Sequence, residues 1–213
     1  MKVSDPKISK QLEQVILQEM VQKAMIEEID IEECHFLNDG LVDIHLHGIS
    51  FEECLFYNCK FEKCKINKAF FVDVIFEKCD VSNIDLSGST FRRVVFKNCK
   101  MIGTNLSHTL LNDVSLQGCI SKYINLSLSD MKNVIFEETD LSNASVQDCR
   151  LKNIKFNQCK MTEIEFLHTP LSEIDFTTSN IDGMMVSGSE LKGAIVTPNQ
   201  ACELSRLLGL IIK

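Results

Sequence analysis

Taking every fifth residue from Ile31 to Val196 selects thirty-four positions, and thirty-three of them are Leu, Ile, Val, Met or Phe. The exception is Ser121. Twelve of the thirteen phenylalanines fall on this register, and only Phe70 lies off it. A strict period of five matches neither the 3.6 of a helix nor the 2 of an ordinary strand. No amphipathic helix or open sheet therefore gives all these side chains one environment.

A second inward register lies two residues before each large apolar position. From Cys34 to Ala194 it is Cys, Ala, Ser, Thr, Val or Ile almost throughout, with Asp39 and Met184 the clear departures. The position two residues after each large residue is often Gly or Asn, as at Asn38, Gly48, Asn58 and Gly88. These two residue types tolerate positive φ most readily, which a chain turning a corner requires. Four corners close a square, so a period of twenty should accompany the period of five. It does: Phe36, Phe56, Phe76, Phe96, Leu116, Phe136, Phe156, Phe176 and Val196 form one such series, and Cys59, Cys79, Cys99, Cys119, Thr139 and Cys159 another. Like residues stacked at β spacing bury one another while their backbones pair. The phase does not slip between residues 31 and 196, and Ser121 marks either a local distortion or a small residue tolerated in one layer.

The pattern resembles that of pentapeptide-repeat proteins over about 165 of the 213 residues. The resemblance implies an all-β fold, a right-handed quadrilateral β-helix (pentapeptide-repeat solenoid), here with a short C-terminal helix cap. Three segments are expected: residues 1–28 as an N-terminal cap or arm, 29–196 as the β-helix, and 197–213 as a C-terminal helix and dimerisation tail. In the first, Ile8, Leu12, Val15 and Glu19 suggest a helix with one weak apolar face, and Val21, Ile26 and Ile29 a transition into the first coil. In the last, Thr197 reads as an N-cap, Pro198 as the first helical residue and Gly209 as the stop. Leu204, Leu207, Leu208, Leu210 and Ile212 exceed what one narrow coil end can cover, so a second copy is expected to dock there. The alternative is a simple hydrophobic lid.

Ten cysteines invite zinc, redox or disulfide chemistry. Nine of them lie on the small inward register, where Cys behaves as a small hydrophobe, and thiols stacked along one wall do not surround a metal tetrahedrally. The tenth, Cys202, is off the register and is the only candidate for a reactive thiol; the preferred reading is a buried residue of the C-terminal helix. His45 and His47 flank an inward leucine and are read as solvated. No phosphate loop, nucleophile elbow or catalytic grouping stands out, and a convex rod offers no deep cleft. No enzyme, metal or cofactor is expected.

Thirty acidic against twenty-two basic residues give a net charge of -8, which disfavours direct binding to nucleic acid or anionic membrane. The N-terminus has no apolar signal region and no apolar run suffices for a membrane span, so a soluble, cytoplasmic protein is expected. Nine carboxylates and no Lys or Arg lie between Glu27 and Glu53, whereas residues 60–132 carry eleven basic and seven acidic side chains. From Glu163 to Glu190 the charged side chains are Glu163, Glu165, Glu173, Asp175, Asp182 and Glu190, all acidic.

The closing stretch, with Gly193, Val196, Thr197-Pro198, Gln200-Ala201 and Leu207-Leu208-Gly209-Leu210, is similar to the C-terminal cap of the Qnr-like branch of the family. Pro6-Lys7-Ile8 with Leu12 is similar to Gram-positive chromosomal members. The branch implies a rod-like homodimer formed through the C-terminal tail. It also implies a non-catalytic, DNA-mimicking binder of type II topoisomerase (DNA gyrase, topoisomerase IV) that reduces quinolone susceptibility. On that reading the six carboxylates from Glu163 to Glu190 face the topoisomerase. The unbroken register leaves no room for the two projecting loops of plasmid-borne members. The other reading is a structural interaction scaffold with a different partner.

Overall fold

The computed structural model describes residues 3–210; the side chain of Leu208 and residue Ile212 lie outside what is described. The chain winds into a right-handed four-sided β-solenoid whose successive coils pair in parallel with a register of twenty residues. Phe71 lies opposite Phe91, Val74 opposite Val94 and Phe76 opposite Phe96, and the same offset continues through Val134 and Ile154.

Each corner from Glu28 to Glu173 is made by one residue in the left-handed region, and Thr178 is the exception beyond it. Glu33, Asn38, Asp43 and Gly48 turn the first coil, with φ between 50° and 72°. Many corner residues are not glycine, including Tyr123 and Leu128. The fold imposes a conformation these side chains disfavour, and the stacked coils on either side hold it. Gly103 shows why some corners are restricted: a Cβ there would sit 2.5 Å from Asn83 Oδ1.

We number the faces in chain order from the one carrying Phe51, Phe71 and Phe91. The second carries the Phe36 to Phe176 series, the third Phe61, Val81 and Met101, and the fourth Leu46, Ile66 and Leu86. Strands Phe70–Glu77, Thr90–Lys97, Leu110–Gln117, Asp130–Glu137 and Arg150–Asn157 run across the first and second faces, bending at the corner between them. Inside, the second-face rings stack at 4.6 Å for Phe56 on Phe76 and 4.8 Å for Phe76 on Phe96. Ser121 is fully buried and causes no distortion, because its N–H still reaches Asp140 O at 2.8 Å. Its hydroxyl has no hydrogen-bond partner among the described residues.

The N-terminal segment differs from the sequence expectation. Helix α1 spans Leu17–Glu27 and turns Leu17, Val21 and Ala24 onto the open end of the solenoid. Val21 is thus a buried helix residue and not part of a transition. Ile8 and Leu12 belong to no helix: residues 3–12 form an arm without regular structure, followed by a two-residue strand, Glu13–Gln14, that pairs with Cys34 and His35. Rod carboxylates take the place of helical acceptors here. Lys7 N–H donates to Asp73 Oδ1 at 2.8 Å and Ser4 N–H to Asp113 Oδ1 at 3.1 Å. Asp39, a departure from the small register, is explained by the same end: its carboxylate accepts from Leu17 N–H at 2.6 Å and caps α1 in place of Ile16.

At the other end α2 spans Pro198–Ser205, with Thr197 and Gln200 forming a reciprocal capping box and Gly209 in the left-handed conformation beyond the last turn. Gln200 Nε2 also donates to Phe176 O and Ser179 O, both at 2.9 Å. Two carbonyls that a further coil would have satisfied are closed this way.

Candidate interaction surfaces

Why the nine register cysteines are structural follows from their hydrogen bonds. All are buried, and each thiol in the main column reaches the carbonyl of a large residue one coil back. Cys59 donates to Phe36 O, Cys79 to Phe56 O and Cys99 to Phe76 O, each at 3.3 Å. Thr139 and Ser179 make the same bond to Leu116 O and Phe156 O. The site therefore selects a small side chain with one donor, and thiol and hydroxyl are interchangeable in it. Burial pushes the Cys149 and Cys159 thiols up to about 11, which keeps them protonated and unreactive. Cys202 is different: it is exposed on α2, contrary to the expectation of burial, because Gln200 and Leu204 are the residues α2 turns towards the rod.

The six carboxylates between Glu163 and Glu190 do not form one surface. Glu163 is an exposed corner residue between the third and fourth faces. Asp182 lies beside it, joined through the 2.8 Å bond from Glu163 N–H to Asp182 O, and Glu165 follows on the fourth face. Glu165 accepts from Gln147 and Asp182 from Asn180 Nδ2. Glu173 stands at the diagonally opposite corner, between the first and second faces, and Asp175 follows on the second face. Hydrogen bonds from Thr177 Oγ1 and N–H hold the Asp175 carboxyl below the usual range.

Glu190 is not a surface carboxylate at all, being 5% exposed. The last coil departs from the regular path at Gly188, where φ is 106°, and forms a single 3-10 turn over Ser189–Leu191. His168 N–H consequently meets no backbone carbonyl of the kind that His108 finds at Ser127; it donates to Glu190 Oε1 at 2.9 Å. Ser187 adds its N–H and its hydroxyl to the same carboxylate. Burial works to raise this carboxyl, but the hydrogen bonds from Ser187 and His168 outweigh it and hold it at about 2. The five-residue register, which marks position 190 as outward, gives no sign of this bulge.

The densest acidic surface lies at the opposite pole. Glu32 pairs in register with Glu52 on the first face, and Glu33 and Glu53 occupy adjacent corners of the same edge. Asp30 and Glu28 adjoin them in sequence, both exposed.

At the C-terminal end an open apolar cleft of about 560 Å³ is lined by Leu191, Ala194, Val196, Ala201, Leu204 and Leu207. Leu207 and Leu210 are about half exposed, at 46% and 56%, and Leu204 is half-buried. Among the described residues no helix is long and apolar enough to cross a membrane.

The family model for the pentapeptide repeat region matches residues 69–145 and 129–204. Among solved structures, trypsin-treated QnrB1, a plasmid-mediated fluoroquinolone resistance protein, is similar at 18% identity and a TM-score of 0.52, covering 84% of this chain and 90% of that one. HetL, a pentapeptide repeat protein involved in heterocyst differentiation regulation from Nostoc sp. strain PCC 7120, is similar at 14% identity and a TM-score of 0.54, covering 85% of this chain and 94% of that one. No curated protein matches the chain. At these identities the structural likeness speaks to fold alone, whereas the family match extends over most of the solenoid. With the five-residue register holding its phase through the matched residues as far as Val196, the chain belongs to the pentapeptide-repeat family.

Proposed function

We propose that the protein is a non-catalytic binder of type II topoisomerase, DNA gyrase or topoisomerase IV, that offers an acidic rod in place of DNA and reduces quinolone susceptibility. One observation carries this reading: the charge density of the N-terminal pole. Nine carboxylates and no basic residue fall between Glu27 and Glu53. Glu27 and Glu28 end α1 and the other seven wind through little more than one coil, so that the stretch covers about 10 Å of axis at most. Duplex DNA carries one charge per roughly 1.7 Å, or about six in the same length. The pole thus matches DNA locally, and a basic saddle evolved for phosphate would accept it.

The rod as a whole does not match. A net charge of -8 is spread over about 40 Å, where duplex DNA would carry roughly twenty-four. Contact is therefore assigned to the acidic ends and not to the mixed middle. Glu163, Glu165 and Asp182 are retained as a second contact group, and Glu173 and Asp175 would serve a different side of the partner. The C-terminal cleft with Leu204, Leu207 and Leu210 is proposed to join two copies end to end, which places an acidic pole at each tip of a longer rod.

Support also comes from the C-terminal resemblance to the Qnr-like branch and from the likeness in fold to a fluoroquinolone resistance protein. The mixed charge of residues 60–132 favours a second reading, a scaffold for another partner. Supercoiling by DNA gyrase and quinolone-induced cleavage, measured with the purified protein, separate the two. Inhibition of supercoiling with reduced cleavage supports the first; no effect at micromolar protein supports the second.

A further inference from the structure

The outward positions in the middle of the second face run His35, Leu55, Ile75, Val95, Ser115, Ile135, Lys155, Asp175 and Ile195. They should be equally open to solvent, yet they are not. The positions from His35 to Val95, and Ile135, are half-buried, and Ser115 is 6% exposed, whereas Lys155, Asp175 and Ile195 are exposed. The shielded part coincides with the path of the N-terminal arm. Ser4 is tied to Asp113, Lys7 to Asp73, and Glu13 to the coil of Cys34. On the arm, Val3, Pro6, Ile8, Ser9 and Leu12 are the half-buried residues, four of the five apolar, while Ser4, Asp5, Lys7, Lys10 and Gln11 are exposed.

The spacing is that of an extended peptide laid along the rod axis. Asp73 and Asp113 are two coils apart, about 10 Å. Ser4 and Lys7 are three residues apart, also about 10 Å for an extended chain. Two corner carboxylates therefore read the backbone N–H groups of two arm residues three apart, and the apolar stripe lies beside them. Asp73 is itself prepared for this: it is 3% exposed and paired with Arg93, whose Nε lies 2.6 Å from Oδ1. The arm is held by far less than the rod, since it has no regular structure from residue 3 to 12 and no ladder partner before Glu13. Such a segment opens locally at a fraction of the cost of unfolding.

We infer that the second face is a docking surface for an extended peptide carrying apolar residues and free backbone N–H groups, and that the N-terminal arm is its built-in, displaceable occupant. A partner segment of the same character would dock by displacing the arm. The inference is independent of the topoisomerase reading, because it uses neither the acidic pole nor the C-terminal cleft.

The test uses the full-length chain, with amide exchange followed by NMR and binding followed with a labelled peptide of residues 3–12. The Ser4 and Lys7 amides should exchange at least about a hundredfold faster than those of Val94–Phe96, yet more slowly than in the free peptide. The variant Ile8→Asp should release both amides and bind the peptide in trans at least tenfold more tightly than the parent chain; adding Asp73→Asn should abolish that gain. Arm amides that exchange only when the rod unfolds, or as fast as in the free peptide, would overturn the inference. So would an Ile8→Asp chain that keeps its arm protected, or one that frees its arm and fails to bind the peptide.

Discussion

A thiol or hydroxyl at the small inner position does two jobs, filling a gap beneath the next coil and donating to a carbonyl of the previous one. The large inner position does one, and its energetics are those of core packing. Phe96 is 2% exposed and stacked on Phe76, so Phe96→Ala should cost about 3 to 5 kcal/mol. Equilibrium denaturation measures this, and near-neutral stability would contradict the packing described. Ser121 offers the opposite sign. Its buried hydroxyl has no partner among the described residues, and Ser121→Ala should raise stability by about 1 kcal/mol, read as a higher melting temperature. Both inner registers are legible in the sequence because the period of five repeats one environment. Residues that leave the repeat are not legible in the same way. Asp39 is visible as a departure, but its role as the cap of α1 depends on a helix that begins twenty-two residues earlier. Cys202 lies beyond the periodic stretch and Glu190 in a turn of the last coil that the register does not mark, and their exposure is set by tertiary packing.

The end elements solve the problem of open coils by different means. The N-terminal end is closed by apolar side chains of α1, and the C-terminal end by polar groups, Gln200 and Glu190, that replace missing backbone partners. Such polar closure depends on pH. Glu190 has a folded-state carboxyl at about 2, below the ordinary value of about 4.3. Its contribution is therefore present above the unfolded pKa and lost as pH falls from about 4 towards 2. The His168 and Ser187 amides should lose exchange protection across that window before the central coils do, and Glu190→Gln should remove the acid-dependent step. Equal protection at pH 2 and pH 6 in the parent chain would refute the assignment. Helix α2 is legible because Thr197, Pro198 and Gly209 are local signals. The arm is not, because its conformation is fixed by Asp73 and Asp113, sixty and more residues away in sequence and adjacent only once the coils are stacked.

For the whole molecule, two surfaces matter, an apolar end and an acidic pole, and the solenoid holds them at opposite ends of one rod. If the apolar end joins two copies, Leu207→Glu should convert a dimer to a monomer in sedimentation velocity without loss of the β signal in circular dichroism; an unchanged mass would exclude Leu207 from the interface. The acidic pole is legible in the sequence as a run without Lys or Arg, and the fold converts that run into charge concentrated within little more than one coil. The grouping of Glu163, Glu165 and Asp182 apart from Glu173 and Asp175 is not legible until the four corners are assigned.

The central claim, that the acidic rod occupies a DNA-binding surface, is tested most directly by equilibrium binding of the purified protein to DNA gyrase with duplex DNA as competitor. The account predicts saturable binding that weakens with added salt, is displaced by excess duplex, and is reduced at least tenfold by Glu32→Gln, Glu33→Gln, Glu52→Gln and Glu53→Gln together. Binding that is indifferent to duplex DNA and to these substitutions, or no binding at micromolar concentrations, would contradict it.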